Sequence, residues 1–319
     1  MMIDEAFWQL DFPAIMAASF AAAACALVGS LLVLRRESLA GDALSHLVLP
    51  GIVVAWVVTG SLAAWAMLGG ALAAALLGTS LLAALGRHRL IGPEAATGIV
   101  FTTMFAAGVV MLSQWVGRRV HLDVDHALYG NLEGVVWPDL TSLAGLLNID
   151  VLAQAPRQLP MLASAIVVVA ALLWMLRKEI VLASFDPENA ALLGVPPGRI
   201  DRLVALLTAT VVVASFESVG AILVVALLIC PAATARLLTD RYGRQLLLAT
   251  AIGLADCWIG YLIAVAGPPI LGYDLALGAA GTIAFVSGLM LGIVLLVQRA
   301  MVSPGRGSAG PEGWTRAGT

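Results

Sequence analysis

The chain has 319 residues, of which 61% are hydrophobic and 12% charged, and its mean hydropathy is +0.98. Soluble domains carry about 25% charged residues, so an ordinary water-soluble enzyme is excluded and the composition is that of a polytopic membrane protein. A net charge of −3 gives no basis for nucleic-acid binding, and the apolar runs are too continuous for a β-barrel, whose strands alternate.

Apolar spans are predicted over residues 14–34, 39–59, 62–85, 95–116, 159–176, 202–217, 219–238, 246–266 and 275–298. The expected fold is therefore all-α, a polytopic helical bundle of about nine transmembrane helices. With the N-terminus outside, strict alternation puts Arg35, Arg36, Arg87, Arg89, Arg177, Lys178, Arg199, Arg202, Arg236, Arg241, Arg244, Arg299, Arg306 and Arg316 inside. Those are 14 of the 17 basic residues, with Arg118, Arg119 and Arg157 outside, so the positive-inside rule predicts an outer N-terminus and an inner C-terminus. Asp4, Glu5 and Asp11 stand where a signal peptide would be basic, so the first span is expected to stay in the mature protein. Cys25, Cys230 and Cys257 all fall in apolar runs and read as buried free thiols. A membrane domain over 1–302 is followed by a tail over 303–319, rich in Gly, Ser and Pro, that is expected to be disordered on the cytoplasmic side.

The only lysine, Lys178, is followed by Glu179, so the chain has no Walker A step through which a lysine could reach ATP phosphates. Neither an HExxH zinc pattern nor a GxSxG elbow occurs. Transport is the expected activity, and the ionisable residues inside the spans are its candidates, because a charge in lipid is costly.

The second span begins Gly41-Asp42-Ala43-Leu44-Ser45-His46-Leu47-Val48-Leu49-Pro50-Gly51. Asp42 and His46 are four apart and share a helix face, and Pro50 has no N–H for the His46 carbonyl. Two readings stand: a site for a transported cation, or an Asp–His hydrogen bond that pins the helix end. Glu217, next to the Gly220 break, either lines a cavity or caps a solvated turn. Asp256 reads as a helix–helix hydrogen bond or as a further ion-handling carboxylate, and Cys230-Pro231 as packing and kinking or as a metal-pump step. The loop His121-Leu122-Asp123-Val124-Asp125-His126 is an exposed polar loop or an outer lure for cations. On the inner side, residues 184–195 read as a short helix with Asp186 as N-cap, Pro187 at its first position and Gly194 as its stop, either a connector or a docking element.

Four segments taken together resemble the zinc/manganese/iron permease family of bacterial ABC importers. They are Arg35-Arg36 leading into GDALSHLVLPGI (41–52), LDVDHALYGNL (122–132), FDPENAALLGV (185–195) and SVGAILVVALLICPAATA (218–235), within a resemblance that covers about residues 14–298. The resemblance implies a permease subunit of the bacterial cytoplasmic (inner) membrane with no resident cofactor, its cargo a manganese, zinc or iron ion. Implied partners are a second permease chain, in a homo- or heterodimer, a cytoplasmic ABC ATPase dimer and an extracytoplasmic metal-binding protein. It also implies Asp42 and His46 as metal ligands, Glu217 at a position that is acidic in some manganese-type members, and Glu188, Ala191 and Gly194 as ATPase contacts. Two carboxylates and one imidazole lean toward manganese or iron(II), while imidazole also suits zinc. A proton- or sodium-coupled secondary transporter using the same Asp–His pair is the alternative, and a membrane enzyme with a structural metal is a third reading.

Overall fold

The structure, a computed structural model, describes residues 5–60, 63–86, 91–116, 130–270, 272 and 277–302. A π-helical turn, Phe7–Asp11, leads into α1 (Phe12–Leu34), which is followed by α2 (Ser38–Thr59), α3 (Ala64–Leu85) and α4 (Pro93–Met111). A 3₁₀ turn, Leu143–Leu147, and α5 (Ile149–Ala153) precede α6 (Gln158–Met175), α7 (Arg177–Phe185) and α8 (Pro187–Leu192). These are followed by α9 (Pro197–Leu238), α10 (Tyr242–Ile270) and α11 (Ala279–Val302), and no strand occurs among the described residues.

Among the described residues, seven helices are long and apolar enough to cross a membrane. The difference from the expected nine has two sources. Among the described residues α2 contributes a shorter apolar stretch, His46–Thr59, and the sixth and seventh expected spans are joined in α9. Within α9, Gly220 has φ 74° and ψ 169°, an extended mirror-image conformation open to glycine, and there the helix is broken.

Contacts with α1 show that the chain turns back at this break. Arg35 at the end of α1 donates to Asp201 near the start of α9, while a Cβ on Gly29 would lie 1.9 Å from the Leu228 carbonyl oxygen. A straight helix from Asp201 to Leu228 would span about 40 Å, but Gly29 and Arg35 are only about 9 Å apart along α1. The two halves of α9 must therefore run in opposite senses, with Gly220 at the tip.

α1 and α10 pack antiparallel along their whole lengths. Gln245 Nε2 donates to the Ser30 carbonyl at 3.2 Å, the Cys257 thiol to the Ala18 carbonyl at 3.4 Å, and the Tyr261 hydroxyl to Asp11 Oδ1 at 2.7 Å. The alanines of α1, among them Ala14, Ala17, Ala18, Ala21 and Ala22, are fully buried, because small side chains let neighbouring backbones approach where lipid supplies no hydrophobic drive. α1 and α9 form the centre of the bundle, with 67% of their apolar windows buried against 17–33% for the other crossing helices. Cys25 and Cys257 are buried free thiols, as their apolar context predicts, whereas Cys230 is free but only partly buried.

Candidate functional site

Asp42 and His46 both lie within the helical run of α2, one turn apart, so the shared face expected of them is kept. The Asp42 side chain lies outside the described residues' side chains. The His46 ring is half-buried and sits against two phenyl rings of α4, with centroids 5.3 Å from Phe101 and 5.3 Å from Phe105 at interplanar angles of 60° and 76°. Phe101 and Phe105 are themselves stacked at 6.1 Å, so α4 presents a paired aromatic brace to the imidazole. α2 continues as helix through Pro50. A Cβ on Gly108 of α4 would lie 3.0 Å from Pro50 Cδ, so the missing side chain of Gly108 is what lets α4 reach the proline.

Glu217 stands three residues before the Gly220 tip. Its Oε1 accepts from Arg157 Nε at 2.9 Å, from Arg157 Nη2, and from Gln158 Nε2 at 3.2 Å at the start of α6. The pair is open to solvent, with the Arg157 side chain 70% exposed and that of Glu217 36%. A close backbone contact seats the tip, since a Cβ on Gly130 would lie 2.4 Å from the Gly220 nitrogen.

The structure does not bring Glu217 next to His46. Ser38 and Asp201 both lie at the Arg35 end of the bundle; from there His46 is about 12 Å up α2 and Glu217 about 24 Å up α9. Among the described residues, no group of three His, Cys, Asp or Glu side chains is placed to hold one ion. The 121–126 loop lies outside the described residues.

Asp256 is fully buried on α10, and its Oδ2 accepts from the Ser287 hydroxyl of α11 at 2.7 Å, the helix–helix bond that is one of its two readings. Pro231 is buried inside the second half of α9, which supports packing for Cys230-Pro231.

The short helix α8 forms as its capping pattern predicts. Asp186 Oδ1 accepts from the Asn189 N–H at 3.0 Å, and Pro187 opens α8. Val195 N–H to Ala190 O at 2.9 Å and Gly194 N–H to Ala191 O at 3.1 Å close a Schellman turn with Gly194 at φ 83°. Ala190 is buried, whereas Glu188, Ala191 and Gly194 are exposed, together with the large apolar side chains of Phe185, Leu192 and Leu193. α7 was not foreseen as a helix; with α8 it makes a hairpin that projects this surface.

Sequence reasoning also missed the partners of these residues, namely Phe101 and Phe105, Arg157 and Gln158, and Ser287. One signal existed for Arg157, a basic residue on the side where the charge partition left only three.

Residues 8–298 match the ABC 3 transport family. The chain is 42% identical over 240 residues to the manganese transport system membrane protein MntD of Bacillus subtilis, covering 75% of this chain and 78% of that one. It is 35% identical over 241 residues to the chelated iron transport system membrane protein YfeC of Yersinia pestis, covering 75% and 72%. Its fold is similar to PsaBC from Streptococcus pneumoniae solved in complex with Fab, with a TM-score of 0.68 at 24% identity, over 88% of this chain and 89% of that one.

Proposed function

The chain belongs to the ABC 3 transport family, and from that premise we propose how its parts work. It is the membrane permease subunit of an ATP-driven importer of divalent metal ions, a transport component rather than an enzyme. The observation that carries this is a family match running through the whole bundle, from the π-helical turn before α1 into α11, and so including both the Asp42–His46 helix and the α7–α8 hairpin.

ATP is hydrolysed by a separate cytoplasmic ATPase dimer docked on α7–α8. The exposed Phe185, Leu192 and Leu193 support this, since a hydrophobic patch on a polar, capped helix suits a protein partner. Glu188, Ala191 and Gly194 lie on that surface as contacts. A second permease chain and an extracytoplasmic metal-binding protein complete the assembly in the bacterial inner membrane.

Nine crossings are supported by counting α2 and both halves of α9 with the six remaining long apolar helices. The partition of basic residues supports an outer N-terminus, an inner C-terminus and a cytoplasmic tail over 303–319.

The transported ion is handled by Asp42, His46 and Glu217. A carboxylate and an imidazole on one face of α2 replace part of its hydration in a low-dielectric bundle. Glu217, at the other depth, supplies a second negative charge, which Arg157 neutralises in this conformation. Manganese is the favoured cargo, because the carboxylates an ion would meet along this path are hard ligands and outnumber the one imidazole, and the similar Bacillus subtilis protein MntD is named for manganese transport.

The test is uptake of Mn²⁺, Zn²⁺ and Fe²⁺ into vesicles holding the assembled complex. Uptake is expected to require ATP and the ATPase. Uptake that persists without the ATPase on a proton or sodium gradient would overturn this reading in favour of a secondary transporter.

A further inference from the structure

At the Arg35 end three helices meet on one side chain. Arg35 closes α1, Glu37 stands immediately before α2, and Asp201 lies in the first turns of α9, just after the α7–α8 hairpin. Arg35 Nε and Nη2 donate to Glu37 Oε2 and Oε1 at 3.0 and 3.1 Å, a two-pronged pair, and Nη2 also donates to Asp201 Oδ1. The Arg35 side chain is only 8% exposed, whereas those of Glu37 and Asp201 are 43% and 55% exposed. Its remaining terminal nitrogen, Nη1, is buried with no hydrogen-bond partner among the described residues, so the guanidinium has given up hydration to make these contacts. Burial works against the charge, but the hydrogen bonds and charges of Glu37 and Asp201 outweigh it and raise the Arg35 pKa.

The surroundings are rigid on both sides. Arg36 takes up the left-handed conformation at φ 59°, which Schellman turns normally give to glycine, and Glu37 N–H bonds to the Leu32 carbonyl at 2.8 Å. On the hairpin side, Ile180 of α7, Ala190 of α8 and Ile200 of α9 are buried in the main core, and only residues 193–196 separate α8 from α9, which ties the hairpin closely to Asp201. On the other side, α2 runs without a break from Ser38 through Asp42 to His46.

We infer that Arg35 is a positioning residue that couples the ATPase-facing hairpin to the metal-handling helix, passing a displacement of α7–α8 through Asp201 and Glu37 to α2. This rests on the permease reading above. A two-pronged guanidinium–carboxylate pair fixes direction as well as distance, which a lysine point charge does not.

The test uses the complete complex in vesicles, with its ATPase and metal-binding protein and with Mn²⁺ as the probe, measuring ATP hydrolysis and uptake on the same preparation. Arg35→Gln and Asp201→Asn are expected to leave hydrolysis within about two-fold of wild type and to cut Mn²⁺ moved per ATP by about ten-fold. Asp201→Glu, which keeps the carboxylate, should retain the ratio. A normal ratio in Asp201→Asn overturns the inference, and so does a parallel fall of hydrolysis and uptake, which would mark a purely structural contact. Asp201 is exposed enough that its variant should fold even if Arg35→Gln does not. Wild-type vesicles that move no Mn²⁺ on ATP would remove the permease reading itself, and this inference with it.

Discussion

The backbones of α2 and α3 touch at Gly51 and Gly70: a Cβ on Gly51 would lie 2.1 Å from the Gly70 carbonyl oxygen, and one on Gly70 would lie 2.2 Å from that of Gly51. Neither helix can carry a side chain there without moving apart from the other. The contact lies just over one turn beyond His46, so it sets where the candidate ligands stand relative to α3.

Gly51→Ala is therefore expected to cost about 1–3 kcal/mol through overpacking and to lower metal uptake by displacing α2. Gly69→Ala, whose added Cβ would meet nothing within 4 Å, is the control. Thermal unfolding of the purified proteins and uptake in vesicles check both. Wild-type behaviour of Gly51→Ala would show that the two helices separate without consequence.

Asp42→Asn and His46→Ala should each abolish uptake in a complex that still assembles. Phe105→Ala removes one ring that braces the imidazole, and it is expected to weaken the apparent affinity for the metal about ten-fold, as loss of an orienting neighbour does. Concentration-dependent uptake measures all three. Normal transport by both α2 variants would reduce the pair to a structural contact and move the search to Asp256.

Glu217→Gln and Arg157→Gln each break the same ion pair. Because the pair is exposed, either change should shift stability by no more than about 1 kcal/mol. The carboxylate and the guanidinium differ in what they can offer a cation, so only Glu217→Gln is expected to depress uptake strongly. Equal uptake in the two variants would assign the pair to holding the Gly220 tip against α6.

Gly194 is held at φ 83° with open space where its Cβ would be, so it is the backbone and not bulk that a substitution disturbs. Gly194→Ala should cost about 1–2 kcal/mol locally, the penalty of a left-handed L-residue, and loosen ATPase docking. Gly198→Ala, also facing open space but inside α9, should bind the ATPase normally. Co-purification of the ATPase with each variant is the readout, and retention by Gly194→Ala would sink the docking role.

Ser142→Cys and Ser308→Cys should react with a membrane-impermeant thiol reagent from opposite sides. Cys25 and Cys257 are buried within the bundle and should give no background, and the partly buried Cys230 is replaced by alanine in both variants. Labelling of both positions from one side would overturn the orientation.

Composition, span positions, the caps of α8 and the segments that resemble metal permeases were all legible in the chain itself, because each depends on local chemistry. Asp186, Pro187 and Gly194 act on their own backbone within a few residues, and the Asp42–His46 spacing needs only a helix. The partners were not legible. Arg35 meets Asp201 across 166 positions, Arg157 meets Glu217 across 60, and Ser287 meets Asp256 across 31. The Gly220 break could be foreseen, but the reversal of α9 emerged only from its contacts with α1. The physical reason lies in the solvent. In water, a helix advertises its buried face by apolar periodicity, but in lipid both faces are apolar. α1 and α11 have nearly equal hydropathy over their apolar windows, 2.2 and 2.4, yet 67% of the first is buried and 17% of the second. Hydropathy places a segment in the membrane; which of its faces meets protein is decided by close contacts such as Gly29 on Leu228 and Gly51 on Gly70, which form only when the whole bundle packs.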